Sequence, residues 1–162
     1  ARMTFYEIPQ THSGRLFIGP RPEAPNLQSW AQKAKQFGVD GVVCLMTLEE
    51  MQAKGISAEQ DALAQHEIAF THFPIADFGP PKVVEHFRTL ITGLNDSLRS
   101  GQTVLVHCAG GIGRAGTTCS CVLVGQGETP DQAIETVSQA RGHPVPETQA
   151  QLAFVRDFVI GR

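Results

Sequence analysis

Two spacings of apolar residues alternate along the chain. Short runs at 15–19, 42–46, 69–73 and 103–107 are apolar throughout or at every second position. The segments between them repeat apolar residues every three or four positions. The first pattern reads as strands and the second as amphipathic helices. Residues 4–20 are short and β-like. Within them Arg15-Leu16-Phe17-Ile18-Gly19 is predicted to be an edge strand or hairpin arm, stopped by Pro20 and Pro22. Leu27, Trp30, Ala31, Ala34 and Phe37 fall at helical spacing, which predicts a helix over 27–37 with Asn26 as its cap and Gly38 as its stop. Trp30 lies on that stripe and is read as core packing. Val42-Val43-Cys44-Leu45-Met46 fits a central parallel strand covered on both faces.

Thr47 and Glu50 match a capping box for a short helix that breaks near Gly55. Ser57 is expected to start another over 58–66, whose acidic residues are read as a solvated face. Residues 69–73 alternate as a strand and lead into a proline-stiffened loop, Pro74-Ile75-Ala76-Asp77-Phe78-Gly79-Pro80-Pro81. A helix over 82–99 should bury Val83, Val84, Phe87, Leu90, Ile91, Leu94 and Leu98. A small-residue helix after 113 is expected to be central and buried. Thr129-Pro130 opens a helix over 130–141, and a last helix over 147–160 carries Leu152, Phe154, Val155, Phe158 and Val159. Strands alternating with helices predict an α/β fold: a central, mostly parallel sheet of four to five strands flanked by helices.

The 162 residues suit one domain, 1–162, with a single core, and no repeat or linker interrupts them. A formal net charge of −3 gives no general affinity for polyanions, so neither nucleic acid nor an acidic membrane is an expected partner. No run has the length of a membrane span and no signal-peptide pattern is present. The four cysteines, Cys44, Cys108, Cys119 and Cys121, show neither a Cys-x-x-Cys pair nor zinc spacing, which suggests the reducing cytoplasm. No metal or cofactor is expected, and a monomer is the default.

The chemistry concentrates after the strand at 103–107. His107-Cys108 is followed by Ala109, Gly110, Gly111, Ile112 and Gly113, then Arg114, where a helix begins. A glycine-rich turn between strand and helix can aim several backbone N–H groups into one concavity, and the helix N-terminus adds partial positive charge. Phosphate fits such a cradle. The same field favours a thiolate, which makes Cys108 a candidate nucleophile. A guanidinium at Arg114 can grip two phosphate oxygens.

This stretch resembles the signature loop of the cysteine-dependent protein tyrosine phosphatases, dual-specificity group. The chain is most similar to the kinase-associated phosphatase branch, through Leu16-Phe17-Ile18-Gly19, Phe37-Gly38-Val39, His72-Phe73-Pro74-Ile75-Ala76-Asp77 and His107 to Arg114. The resemblance implies that Cys108 attacks phosphorus, that the amides of 109–114 and Arg114 hold the phosphate oxygens, and that Asp77, which lies 31 positions before Cys108, protonates the leaving group. His107 is expected to support the loop through hydrogen bonds to backbone. Gln151, in Glu-Thr-x-x-Gln, either orients the attacking water or is an exposed helical residue. One departure is Ala115, where the family commonly carries a hydroxyl that assists thiolate departure.

The implied activity is hydrolysis of phosphotyrosine and phosphoserine or phosphothreonine esters, with a phosphorylated protein or peptide as partner. A phosphoinositide or RNA 5′-phosphate substrate is the alternative, disfavoured because the loop holds no basic residue before Arg114. A phosphoprotein-binding pseudophosphatase is the second, disfavoured because Cys108, Arg114 and Asp77 are all present. An oxidised Cys108 could be trapped by Cys44, although inert buried thiols are the favoured reading.

Overall fold

Alternation within the strands decides which helices cover which face. The computed structural model describes residues 4–159. One sheet has the order β1-β2-β5-β3-β4, formed by β1 (Tyr6–Ile8), β2 (Arg15–Gly19), β3 (Gly41–Cys44), β4 (Ala69–His72) and β5 (Thr103–His107). β1 runs antiparallel to β2, and every other pairing is parallel. The expected mostly parallel sheet is therefore present, with five strands. β2 is a hairpin arm but not an edge. The three residues of β1, too few to show a period, lie outside it.

The helices are α1 (Leu27–Gln36), α2 (Leu48–Ala53), α3 (Glu59–Ala64), α4 (Val84–Arg99), α5 (Gly113–Gly125), α6 (Pro130–Arg141) and α7 (Gln149–Asp157). Leu16, Ile18, Val43, Val104 and Val106 pack with Phe87, Ile91, Leu123, Val137 and Val155, on the face covered by α4–α7. Phe17, Val42 and Leu105 point the other way, onto Trp30, Ala34, Ala62 and Leu63 of α1 and α3. Burial on both faces is why residues 42–46 and 103–107 read as nearly continuous apolar runs.

Several element ends differ from the sequence reading. Asn26 precedes α1 but makes no side-chain cap, because Ala24–Asn26 is itself a 3-10 turn. Ala58 rather than Ser57 starts α3, also without a side-chain cap. Val83 is the cap position of α4, and Val83 and Val84 are exposed instead of buried, since the chain has not yet turned onto the sheet. α7 ends at Asp157 because Phe158 turns extended and buries itself against Phe87 and Phe154. Val159 is exposed, and residue 160 of the expected helix lies outside the described residues. Among the described residues no helix is long and apolar enough to cross a membrane.

Candidate active site

β5 is hydrogen-bonded on both sides, and its carboxyl end delivers His107 and Cys108 between the ends of β2 and β3. In a trans peptide the carbonyl and the next residue's N–H point in opposite directions. The structure uses this to orient the loop. The carbonyl of Ala109 accepts from Arg21 N–H at 3.0 Å. The carbonyls of Gly110 and Gly111 accept from Arg141 Nη2 and Nε, at 3.0 and 2.9 Å. The N–H groups of residues 110–112 consequently face the opposite side of the loop. Gly111 is left-handed at φ +72°, and a Cβ there would fall 2.5 Å from the carbonyl carbon of Gly19. Only glycine fits both requirements. Arg141 lies over the Tyr6 ring at 4.4 Å, which fixes its guanidinium behind the loop.

α5 starts at Gly113, so its positive end faces the same concavity. The cleft, about 170 Å³, is lined by Asp77, Phe78, Cys108, Ala109, Gly110, Ile112, Gly113, Arg114 and Glu147. The structure thus gathers the expected nucleophile, acid and clamp around one cavity. Glu147 and Phe78 are lining residues that sequence reasoning did not single out.

Arg114 is 1% exposed. Its Nη1 and Nη2 donate to the two carboxylate oxygens of Glu50 at 2.7 and 2.8 Å, and Nη1 also donates to the Ile75 carbonyl at 2.8 Å. The Arg114 guanidinium holds the Glu50 carboxyl down at about 2. The capping box identified Glu50 correctly as the partner of the Thr47 N–H. Its second role was hidden because Arg114 is 64 positions away. Arg114 Nε is buried and has no hydrogen-bond partner among the described residues.

Asp77 reaches Arg114 Nη2 at 3.2 Å. Its loop is tied down at several points. Ile75 N–H donates to the Leu45 carbonyl at 3.0 Å, Thr148 Oγ1 to the Phe78 carbonyl at 2.9 Å, and Gln151 Nε2 to the Gly79 carbonyl at 3.3 Å. Asp77 accepts from the Phe78 N–H at 2.9 Å, and Phe78 sits at φ +65°, a strained setting for a side chain other than glycine. Gln151 is fully buried, which corrects the exposed alternative. Its oxygen accepts from the N–H groups of Glu147 and Thr148 at the start of α7, so both ends of its amide are engaged and its nitrogen ties α7 to the acid loop.

His107 is fully buried, and its Nδ1 faces the Cys108 carbonyl at 3.1 Å, the backbone bond expected of it. Its Nε2 lies 2.5 Å from Glu59 Oε2. Glu59 is also fully buried, which corrects its reading as part of a solvated face. It precedes Ala62 and Leu63 by three and four positions, on the same inward stripe. Cys44 packs with Met46, Met51 and Ile56, apart from the cluster that holds Cys108. All four thiols are buried and free, and burial, with Cys108 nearby, pushes the Cys119 thiol up. Thr117 Oγ1 donates to the Gly113 carbonyl at 2.8 Å, so its hydroxyl is engaged beside Ala115.

Comparison with known proteins agrees with this geometry. Residues 14–161 match the family model "Swiss Army Knife protein, DSP-PTPase phosphatase domain". Cyclin-dependent kinase inhibitor 3 of Homo sapiens is 27% identical over 135 residues, covering 82% of this chain and 63% of that protein, so the match spans less than two thirds of the relative. The probable protein tyrosine phosphatase type IVA A of Dictyostelium discoideum is 29% identical over 147 residues, covering 88% and 81%. The crystal structure of kinase associated phosphatase with a serine in place of its catalytic cysteine superposes with a TM-score of 0.90 at 22% identity, covering 97% of this chain and 94% of that one. A loop of outward carbonyls and inward amides, closed by a buried arginine and faced by an aspartate, therefore stands in a chain that belongs to the dual-specificity and protein tyrosine phosphatase family.

Proposed function

We propose that the chain is a cysteine-dependent phosphoprotein phosphatase that hydrolyses phosphotyrosine and phosphoserine or phosphothreonine esters. The observation that carries this reading is Arg114: its guanidinium is fixed by Glu50 and Ile75, lines the cleft beside Cys108, and keeps a buried Nε–H without a partner among the described residues. A phosphate oxygen supplies that partner. The amides of 110–112 and the N-terminus of α5 take the remaining oxygens. Cys108 thiolate attacks phosphorus in line, forming the sulfur–phosphorus bond as the ester oxygen leaves. Asp77 gives that oxygen its proton. Asp77 then takes a proton from water, which attacks the phosphocysteine and releases phosphate and the thiolate.

Two features of the cleft support a protein substrate. Phe78 is 58% exposed at its lip and offers an apolar contact to a phosphorylated side chain. The exposed Glu147 on the wall disfavours substrates that carry several phosphates. The test is phosphate release from matched phosphotyrosine and phosphothreonine peptides by wild type and Cys108→Ser. Release from both, abolished in the variant with peptide binding retained, is expected. Turnover of phosphoinositides but neither peptide overturns the substrate assignment, and turnover by Cys108→Ser overturns the mechanism.

A further inference from the structure

Behind the loop, on the face away from the cleft, lies a buried acid that the proposed chemistry does not use. β5 alternates, so Val104 and Val106 face α4–α7 while Leu105 and His107 face α1 and α3. His107 therefore points at the first residue of α3, Glu59. Both side chains are completely buried and meet at 2.5 Å. Trp30 of α1 sets its ring edge-on against the imidazole, with centroids 5.7 Å apart. Cys44 of β3, the register neighbour of His107, is the other titratable group facing the ring among the described residues.

The protons follow from the partners. A backbone carbonyl only accepts, so Nδ1, which faces the Cys108 carbonyl, carries a hydrogen. Nε2 and Glu59 Oε2 share one more. With that proton on the ring, the pair is an imidazolium and a carboxylate, neutral in sum and suited to a dry interior. The remaining oxygen, Glu59 Oε1, is buried without a hydrogen-bond partner among the described residues. Glu59, His107 and Cys44 also have the ligand types of a metal site, with their atoms within 4.8 Å of one another. The 2.5 Å contact argues against one, since two ligand atoms on a tetrahedral zinc stand roughly 3.3 Å apart.

We propose that Glu59 is a positioning residue for Cys108: it holds His107 as the doubly protonated imidazolium, which fixes the Cys108 carbonyl outward and places a cation one residue from the thiolate. Burial opposes the charged ring, and the Glu59 carboxylate, with a further contribution from Cys44, outweighs it and raises His107 well above the ordinary imidazole range. Glu59→Gln separates charge from geometry. A glutamine N–H can still donate to Nε2 of the neutral Nδ1–H ring, so the carbonyl contact survives while the cation is lost.

This inference rests on Cys108 acting as a thiolate, but its test needs no substrate. The rate of Cys108 alkylation by iodoacetamide, located by mass spectrometry, is followed against pH in wild type and Glu59→Gln. The midpoint in the variant is expected to rise by about one pH unit, roughly a tenfold fall in thiolate at pH values below both midpoints. An unchanged midpoint in a folded Glu59→Gln protein overturns the proposal and leaves Glu59 a packing residue. Should the variant not fold, nitrogen NMR of histidine-labelled wild type decides. Two protonated ring nitrogens in His107 from pH 5 to 9 support the proposal. A ring that titrates near 6.5, or one protonated only at Nε2, overturns it. A protein that shows the shifted midpoint yet turns over no phosphoester would defeat the phosphatase reading alone.

Discussion

Glu50→Gln tests how Arg114 is held. Glutamine keeps the N3 capping position compatible with Thr47 but cannot present two anionic oxygens to the guanidinium. The magnitude comes from the ionisation of Glu50. A fall from 4.5 to about 2 corresponds to about 3 kcal/mol of preference for the charged form. Part of that belongs to the Thr47 N–H, so a loss of about 2–3 kcal/mol at pH 7 is expected, in line with removing one partner of a largely buried pair. The sign with pH is set by the lowered value in the folded state. The stabilisation is complete above the unfolded value of 4.5 and is lost as pH falls towards about 2. Urea unfolding of both proteins should show the penalty shrinking by roughly 2 kcal/mol between pH 7 and pH 3. Comparing the two proteins at each pH cancels the titration of every other group they share. An equal penalty at both pH values would refute the charge-pair argument and leave Glu50 a helix cap.

Asp77→Asn should slow alkyl phosphate esters more than phenolic ones, because a phenolate leaves without a proton; equal losses on matched esters would count against the acid role. Arg141→Met removes both donors to the Gly110 and Gly111 carbonyls, and vanadate inhibition should weaken about tenfold, the equivalent of one modest hydrogen bond. Unchanged inhibition would show that the loop holds its shape unaided. Ala115→Ser should raise turnover if breakdown of the phosphocysteine limits the rate, and burst kinetics in the parent protein report whether it does.

What was legible in the sequence was whatever depends on neighbours along the chain. The run at 103–107, the glycines after it and the start of α5 are local, and they led directly to the cleft. The capping box at Thr47 and the Thr129-Pro130 helix start are equally local and were legible for the same reason. The runs of β2, β3 and β5 were legible as strands too, and the two-residue period of a strand carries a further consequence. It puts His107 on the same face as Leu105, and helical spacing puts Glu59 on the same face as Ala62 and Leu63. Together they place the acid against the imidazole. Reading Glu59 as solvated followed the usual exposure of glutamate, which fails when a buried partner can hold the charge. Arg141, Glu147 and Thr148 reach the loop or the acid segment only by folding back from the C-terminal third; no local pattern marks Arg141, and the Glu-Thr-x-x-Gln pattern of 147–151 does not by itself say what it packs against.

The segment between β3 and β4 has a common logic once both acids are in view. α2 and α3 are six residues each, too short to be stable alone. Each contributes one acid to one end of the same loop. Glu50 of α2 meets Arg114 where the loop closes, and Glu59 of α3 meets His107 where it opens. Both contacts are with cations or potential cations that the strand and helix could not bury alone. The loop between them carries only small residues and Ile112, so its shape is set from outside: by these two acids, by Arg141 and by the Arg21 N–H. This division suits an oxyanion site. A phosphate bound as proposed would meet backbone and one guanidinium already fixed in place, leaving little reorganisation when charge develops in the transition state.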